Sequence, residues 1–198
     1  MPLTQAKELD DVVAPLLRRA QAGDAAARDE LLGHCHATVY RWAVMHTGDA
    51  DDAEDVAQEV LVRLDRSLGS YSGRARFTTW LYQVTRNASV GFGRRIASRL
   101  RLARGFARER SAIAPPAEDP VARLQESHIG RLVTGLFRRL PAKQREVFYL
   151  ADIEGLGPQE TAERLGINPV TARAHLFRAR RALRTWILEE HPEVAEER

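Results

Sequence analysis

Thr171, Arg173, Ala174, His175, Phe177, Arg178 and Arg181 fall within about three helical turns near the C-terminal end of the sequence. Their chemistry is recognition, not bond breaking. An arginine guanidinium is a planar fork of N–H donors that fits the O6 and N7 edge of guanine or a pair of phosphate oxygens. By position Arg173 is the best candidate for a guanine contact, while Thr171 and Arg178 suit phosphate contacts. Phe177 is open between two roles, a contact to a thymine methyl and a place on the flank of the protein's own core. Arg180, Arg181 and Arg184 either add nonspecific attraction to a polyanion or are only solvated.

Such a face needs an element that presents it. Gln159 to Leu165 reads as a short helix, and Gly166 as a sharp turn where a side chain would clash. Asn168 can cap the next helix, and Pro169 at its first position lacks only an amide hydrogen that would be orphaned anyway. Ala162 is small enough for two helices to cross closely. This is the layout of a helix-turn-helix. On the second helix Ala172, Leu176, Ala179 and Leu183 recur at spacings of four, three and four and face inward, which leaves the arginine-bearing side for a DNA major groove.

The chain has 198 residues and a formal net charge of +3, too small to argue for nucleic acid by itself. The charge is unevenly distributed. Asp49, Asp51, Asp52, Glu54, Asp55 and Glu59 form an acidic block. Arg86, Arg94, Arg95, Arg99, Arg101, Arg104, Arg108 and Arg110 form a basic one. The separation suggests a different partner for each sign. Half of the acidic block also suits the N-terminal dipole of the helix that carries it.

His34, Cys35 and His36 are adjacent, so they point about 100° apart on a helix and cannot readily chelate one ion; no metal is expected. No glycine-rich phosphate loop or nucleophile motif is found, so neither a catalytic centre nor a cofactor is expected. One cysteine excludes an internal disulfide and fits a reducing compartment. The start, MPLTQAKELDDVV, has no basic stretch followed by an apolar run, and no apolar segment approaches the roughly 20 residues of a membrane span. A cytoplasmic location follows as the expectation.

Helical periodicity runs through the chain and strand signals are nearly missing, so the fold class is all-α. Val12, Val13, Leu16, Leu17 and Ala20 mark a first helix, which Gly23 ends before Asp24 caps the next. The second carries Leu31, Leu32, Cys35, Val39, Trp42 and Ala43. A third starts near Asp51 or Asp52 and buries Ala53, Val56, Ala57, Val60, Leu61 and Leu64. SLGSYSGRAR at 67–76 is a loop, and a fourth helix buries Phe77, Leu81, Val84 and Ala88, with Thr79, Gln83 and Arg86 on its wet side and Gly91 and Gly93 weakening it. Pro115, Pro116 and Pro120 forbid a continuous helix through the middle of the chain. The expected organisation is two small helical domains, 10–97 and 127–188, joined by a flexible linker at 98–126 and followed by an acidic, disordered tail at 189–198. The second domain, at roughly sixty residues, is expected to be marginally stable alone.

LPAKQREVFYLADIEGLGPQETAERLGINPVTARAHLFRARRALR resembles region 4, the promoter-binding domain of bacterial sigma factors of the extracytoplasmic-function group in the sigma-70 family. DDAEDVAQEVLVRLDRSL and YSGRARFTTWLYQVTRN resemble region 2 of the same family. The resemblance covers about residues 10–96 and 128–186, and two motif sets in the right order make it specific. It implies a promoter-specificity subunit that binds core RNA polymerase, recognises minus-35 and minus-10 elements and assists melting. Asp52, Glu54, Asp55, Gln58 and Glu59 would grip the polymerase; the loop 70–76 and the helix after it would read the minus-10 element; the 169–184 helix would read the minus-35 element. It also implies an anti-sigma protein as a further partner. Holding bases outside the duplex needs a pocket and positive charge along the backbone path, which Tyr71, Arg74, Arg76, Thr79, Tyr82, Gln83, Arg86 and Asn87 would supply. Trp80 is a tempting stacking platform, but its spacing with Phe77 and Val84 favours burial; Tyr71 is open between the two. The competing reading is a stand-alone helix-turn-helix regulator with the first domain as sensor or dimeriser.

Overall fold

The computed structural model describes the backbone over residues 5–103 and 135–192, and side chains over 9–98 and 135–192. The described residues contain helices and turns but no strand, and they belong to two compact units, one within Ala6–Asp119 and one within Pro120–Arg198.

The first unit is built from α1 (Gln5–Gln21), α2 (Ala25–Thr47), α3 (Ala50–Ser67), a 3-10 turn at Leu68–Ser70, and α4 (Phe77–Ala103). Its punctuation is local chemistry. Gly23 takes φ 96° after α1, a conformation that costs glycine little, and Asp24 then caps α2 by accepting a hydrogen bond from the Ala27 amide at 3.0 Å. Asp49 does the same for α3, accepting from the Asp52 amide at 3.0 Å. The helix therefore starts at Ala50, slightly before the expected Asp51 or Asp52, because the acid one turn upstream is the cap.

Apolar positions at helical spacing make the core. Leu31, Cys35, Val39 and Trp42 of α2, Val56, Val60 and Leu64 of α3, Leu81 of α4 and Val13 of α1 are all fully buried. Leu16, Leu17 and Ala20 join them, whereas Val12 is 45% exposed. Val12 is turned about 100° from Val13, outside the stripe that α1 presents to its neighbours. Leu61 and Val84 are half-buried at the margin.

α4 passes through Gly91 and Gly93 without a break. Each helical glycine costs only about 1 kcal/mol, and the segment has compensating ties: Arg95 lies 5.7 Å from the Phe92 ring centroid and binds the Glu59 carboxylate of α3. Positions 98–103, expected as the start of the linker, are thus helical. The rest of the expected linker and the first residues of the expected second domain, 127–134, lie outside the described residues.

The second unit contains a helix whose described part is 135–139 (α5), then α6 (Ala142–Phe148), a π-helical turn at Tyr149–Ile153, α7 (Pro158–Leu165) and α8 (Pro169–Glu190). Leu136, Leu140, Ala179 and Leu183 form its buried cluster, packed round by Phe137, Phe148, Trp186 and Ile187. Glu189 and Glu190, expected in the disordered tail, continue α8. Glu190 accepts two hydrogen bonds from Arg139 at 2.7 and 2.6 Å, and the same guanidinium sits 4.4 Å from the Trp186 ring centroid, so the end of α8 is fastened to α5. Residues 193–198 lie outside the described part. Among the described residues, no helix is long and apolar enough to cross a membrane.

Candidate nucleic-acid interface

Local chemistry sets the angle between α7 and α8. Gly166 ends α7 at φ 64°, ψ 39°, and the Ile167 amide donates back to the Ala162 carbonyl at 3.0 Å. A Cβ added at Gly166 would meet nothing within 4 Å. Glycine is needed here for its left-handed backbone, not to avoid the side-chain clash expected from sequence. Asn168 accepts from the Val170 amide at 2.8 Å, and Pro169 opens α8. Ala162 and Ala172 are 1% and 2% exposed, small side chains where the helices meet.

That turn fixes the register of α8. Ala172, Ala179 and Leu183 face inward; Leu176 is only half-buried, because it lines a groove of about 370 Å³ with Val147, Leu156 and Thr161. Thr171, Arg173, Arg178 and Arg181 are exposed, and Ala174 and His175 are half-buried with the His175 Nδ1 turned inward. Phe177 is 66% exposed, which excludes the core role. Val170, not among the residues expected from sequence, is 69% exposed on the same face. An apolar residue just after a cap reads as hydrophobic-pattern noise in one dimension; its exposure beside Thr171 and Arg173 makes it a candidate for methyl contact.

The π-helical turn places two acids against this motif. Asp152 binds Arg180 bidentately, one bond measuring 2.9 Å, so this arginine is neutralised by its own unit. Glu154 receives Arg164 of α7 at 3.4 Å, both side chains at least nine-tenths buried. A buried pair of this kind adds little net energy but makes loss of one partner costly, which holds α7 in one orientation.

In the first unit, the loop after the 3-10 turn exposes Arg74 and Arg76, and α4 exposes Asn87. Tyr71, Thr79, Gln83 and Arg86 are half-buried around it. Tyr82 is corrected: it is 0% exposed, its ring edge-on to Trp42 at 5.2 Å, and it is a core residue that cannot touch DNA in this fold. It follows Leu81 on the inward side of α4, where α2 supplies the covering ring. Trp80 is half-buried, its ring tilted against those of Tyr71 and Phe77 at centroid distances of 5.4 and 5.7 Å. Two framing residues come from α1. Asp10 accepts from the Thr78 amide and hydroxyl at 2.9 and 2.8 Å, and Gln21 donates to the Leu68 and Tyr71 carbonyls at 2.9 and 3.0 Å. Burial first, and then the Asp10 charge, push the Tyr71 phenol above its ordinary range.

The acidic face of α3 is partly spoken for. Asp55 and Gln58 are exposed; Glu54 accepts from Gln58 at 3.1 Å and lies 3.5 Å from His36. Glu59 binds Arg63 and Arg95. Burial alone would raise its carboxyl, but the hydrogen bond from Arg95 and the charges of Arg63 and Arg95 outweigh it and hold the group below the ordinary glutamate value. Asp52 is half-buried next to the cap of its own helix.

Two family models meet this geometry in order. Residues 31–99 match Sigma-70 region 2, and residues 131–183 match Sigma-70, region 4. The chain belongs to the sigma-70 family. Its relatives place it in the extracytoplasmic-function (ECF) group. It is 33% identical over 179 residues to the ECF RNA polymerase sigma factor SigE of Mycolicibacterium smegmatis, covering 88% of this chain and 68% of that protein. It is 30% identical over 173 residues to the RNA polymerase sigma-H factor of Pseudomonas aeruginosa, covering 85% and 90%. It is also 30% identical over 173 residues to the ECF RNA polymerase sigma factor SigM of Mycobacterium tuberculosis, covering 86% and 82%. Two solved structures share the fold: CnrH in complex with the cytosolic domain of CnrY (TM-score 0.62, 22% identity, 89% and 96% covered), and RpoE in complex with the anti-sigma factor NepR from Bartonella quintana (0.62, 20%, 80% and 95%). The protein is a sigma factor: it binds core RNA polymerase, recognises minus-35 and minus-10 promoter elements and assists DNA melting for transcription initiation.

His34, Cys35 and His36 serve α2 of this sigma factor separately. Cys35 is fully buried and its thiol is pushed up to about 12 by burial, so it is not a ready nucleophile. His34 lies 3.9 Å from Glu30, and His36 turns toward Glu54. Among the described residues no group of three His, Cys, Asp or Glu is placed to hold a metal ion.

Proposed function

We propose that this sigma factor divides its work between the two units. In the second, within 127–188, α8 enters the major groove of the minus-35 element. Arg173 reads a guanine, Thr171 and Arg178 hold phosphates, Val170, Ala174 and Phe177 supply apolar contact, Arg181 adds charge, and His175 lies at the margin. In the first, within 10–97, Tyr71, Arg74, Arg76, Thr79, Gln83, Arg86 and Asn87 form the minus-10 surface, without Tyr82. The α3 face of Asp52, Glu54, Asp55, Gln58 and Glu59 is the polymerase contact. Asp55 and Gln58, exposed and outside the arginine pairs, carry most of it. The protein acts in the cytoplasm without a catalytic centre of its own, and an anti-sigma protein is among its partners; two proteins of this fold were solved as complexes, one with a named anti-sigma factor.

The observation that carries the minus-35 assignment is the register of α8: Ala172 is 2% exposed while Arg173 beside it is open to solvent. A bidentate arginine–guanine pair discriminates by about 1–3 kcal/mol. Holoenzyme carrying Arg173→Ala is therefore expected to lose roughly 5- to 150-fold in preference at one or two minus-35 positions, read by transcription from a promoter library. An unchanged sequence logo refutes the assignment.

A further inference from the structure

We infer that Asp10 and Gln21 of α1 are positioning residues for promoter opening, holding the two ends of the minus-10 loop in its working shape. The inference rests on the reading of residues 70–76 as the minus-10 loop. The family match to region 2 begins at residue 31, so nothing in that match assigns a task to α1.

The loop enters from the 3-10 turn at Leu68–Ser70 and leaves into α4 at Phe77. At the entrance the Gln21 amide donates to both the Leu68 and Tyr71 carbonyls, 47 and 50 residues away in sequence. At the exit Asp10 receives both the backbone and the hydroxyl hydrogen of Thr78, 68 residues away. Thr78 is 0% exposed, and its amide would otherwise be one of the orphan donors at the start of α4. The Asp10 charge also sits where the positive end of the α4 dipole would attract an anion, which keeps that terminus for the protein and not for a phosphate. Within the loop the Tyr71 hydroxyl donates to the Ala75 carbonyl at 2.6 Å, while its ring packs on Phe77 and Trp80. Between these anchors Ser72, Gly73, Arg74, Ala75 and Arg76 are exposed. A loop tied at both ends pays less ordering entropy when a flipped base and its phosphates arrive.

The test uses full-length protein with core RNA polymerase. The template is a promoter selected from a library by the wild-type holoenzyme, with 2-aminopurine in its minus-10 element. Gln21→Ala and Asp10→Ala are each expected to lower the open-complex fluorescence by about five- to tenfold. Core affinity and protection of the minus-35 element should stay unchanged. Asp10→Asn is expected to restore opening, since an asparagine oxygen can accept from the Thr78 amide and its NH₂ can donate to the Thr78 hydroxyl oxygen. Thermal unfolding of Gln21→Ala, at an exposed site, guards against a folding defect. Normal opening in both alanine variants, a parallel fall in core affinity, or Asp10→Asn behaving like Asp10→Ala overturns the inference. A doubly substituted Arg74→Ala, Arg76→Ala loop separates the two levels. If that variant also opens normally, the loop reading fails and takes the inference with it. If it is defective while Gln21→Ala and Asp10→Ala are not, the inference alone falls.

Discussion

Replacing Gly166 by alanine isolates a backbone effect at the turn between α7 and α8. Since an added Cβ meets nothing within 4 Å, the substitution creates no clash and removes no contact. What changes is the cost of holding φ 64°, ψ 39°. That region disfavours an L-residue by about 1–2 kcal/mol. Against this, alanine restricts the unfolded chain and returns about 0.4–1 kcal/mol. The net is a loss of about 1 kcal/mol in the second unit. For a unit of 60–100 residues this lowers its melting temperature by about 4–8 °C. Asparagine tolerates the left-handed region through local hydrogen bonds, so Gly166→Asn should cost only a few tenths of a kcal/mol. Amide hydrogen exchange read on peptides from 158–190 of the full chain would report the unit directly. The expected order of protection is wild type, then Gly166→Asn, then Gly166→Ala. At a temperature where all three are folded, affinity for a minus-35 duplex should agree within about twofold, because the arginine-bearing face is untouched. Equal protection in all three, or Gly166→Asn as damaging as Gly166→Ala, refutes backbone strain as the reason for glycine.

Three further outcomes follow from particular contacts. Asp152→Asn should release Arg180 for a phosphate, steepening the salt dependence of minus-35 binding by about 0.9 in log–log slope; an unchanged slope means Arg180 does not reach DNA even when freed. Tyr82→Ala should cost about 3–5 kcal/mol of first-unit stability by emptying the space against Trp42, measured by chemical denaturation. Altered minus-10 preference with unaltered stability would contradict its burial. Glu59 has a depressed carboxyl, so its contribution is complete above the ordinary glutamate value and is lost as pH falls through the lower folded-state value. Unfolding of Glu59→Gln should accordingly depend less on pH across that acidic window than wild type does, and identical pH profiles would remove the Arg63–Glu59–Arg95 cluster from the account.

Much of the second unit was legible because its determinants are close in sequence. Gly166, Asn168 and Pro169 act on their own backbone within four residues, and the Ala172–Ala179–Leu183 stripe needs only the helical period to choose its face. The same locality made the α2 cap at Asp24 readable. Side chains that serve the site from a distance were not readable. Nothing near Tyr82 says that Trp42 will cover it, so a polar-tipped aromatic on α4 looked available when it was core. Arg180 looked like its neighbours until the π-helical turn brought Asp152 to it, 28 positions away. Asp10 and Gln21 carry no signature at all; they matter only because α1 packs where α4 begins and the loop passes. Sequence by itself thus determined most of the described helices, the caps at Asp24 and Asn168, the turn between α7 and α8, and the family. Tertiary structure decided which polar groups remain for DNA and which are consumed inside each unit, because a hydrogen bond or an ion pair is set by distance in space, and the chain brings such partners together only when it folds.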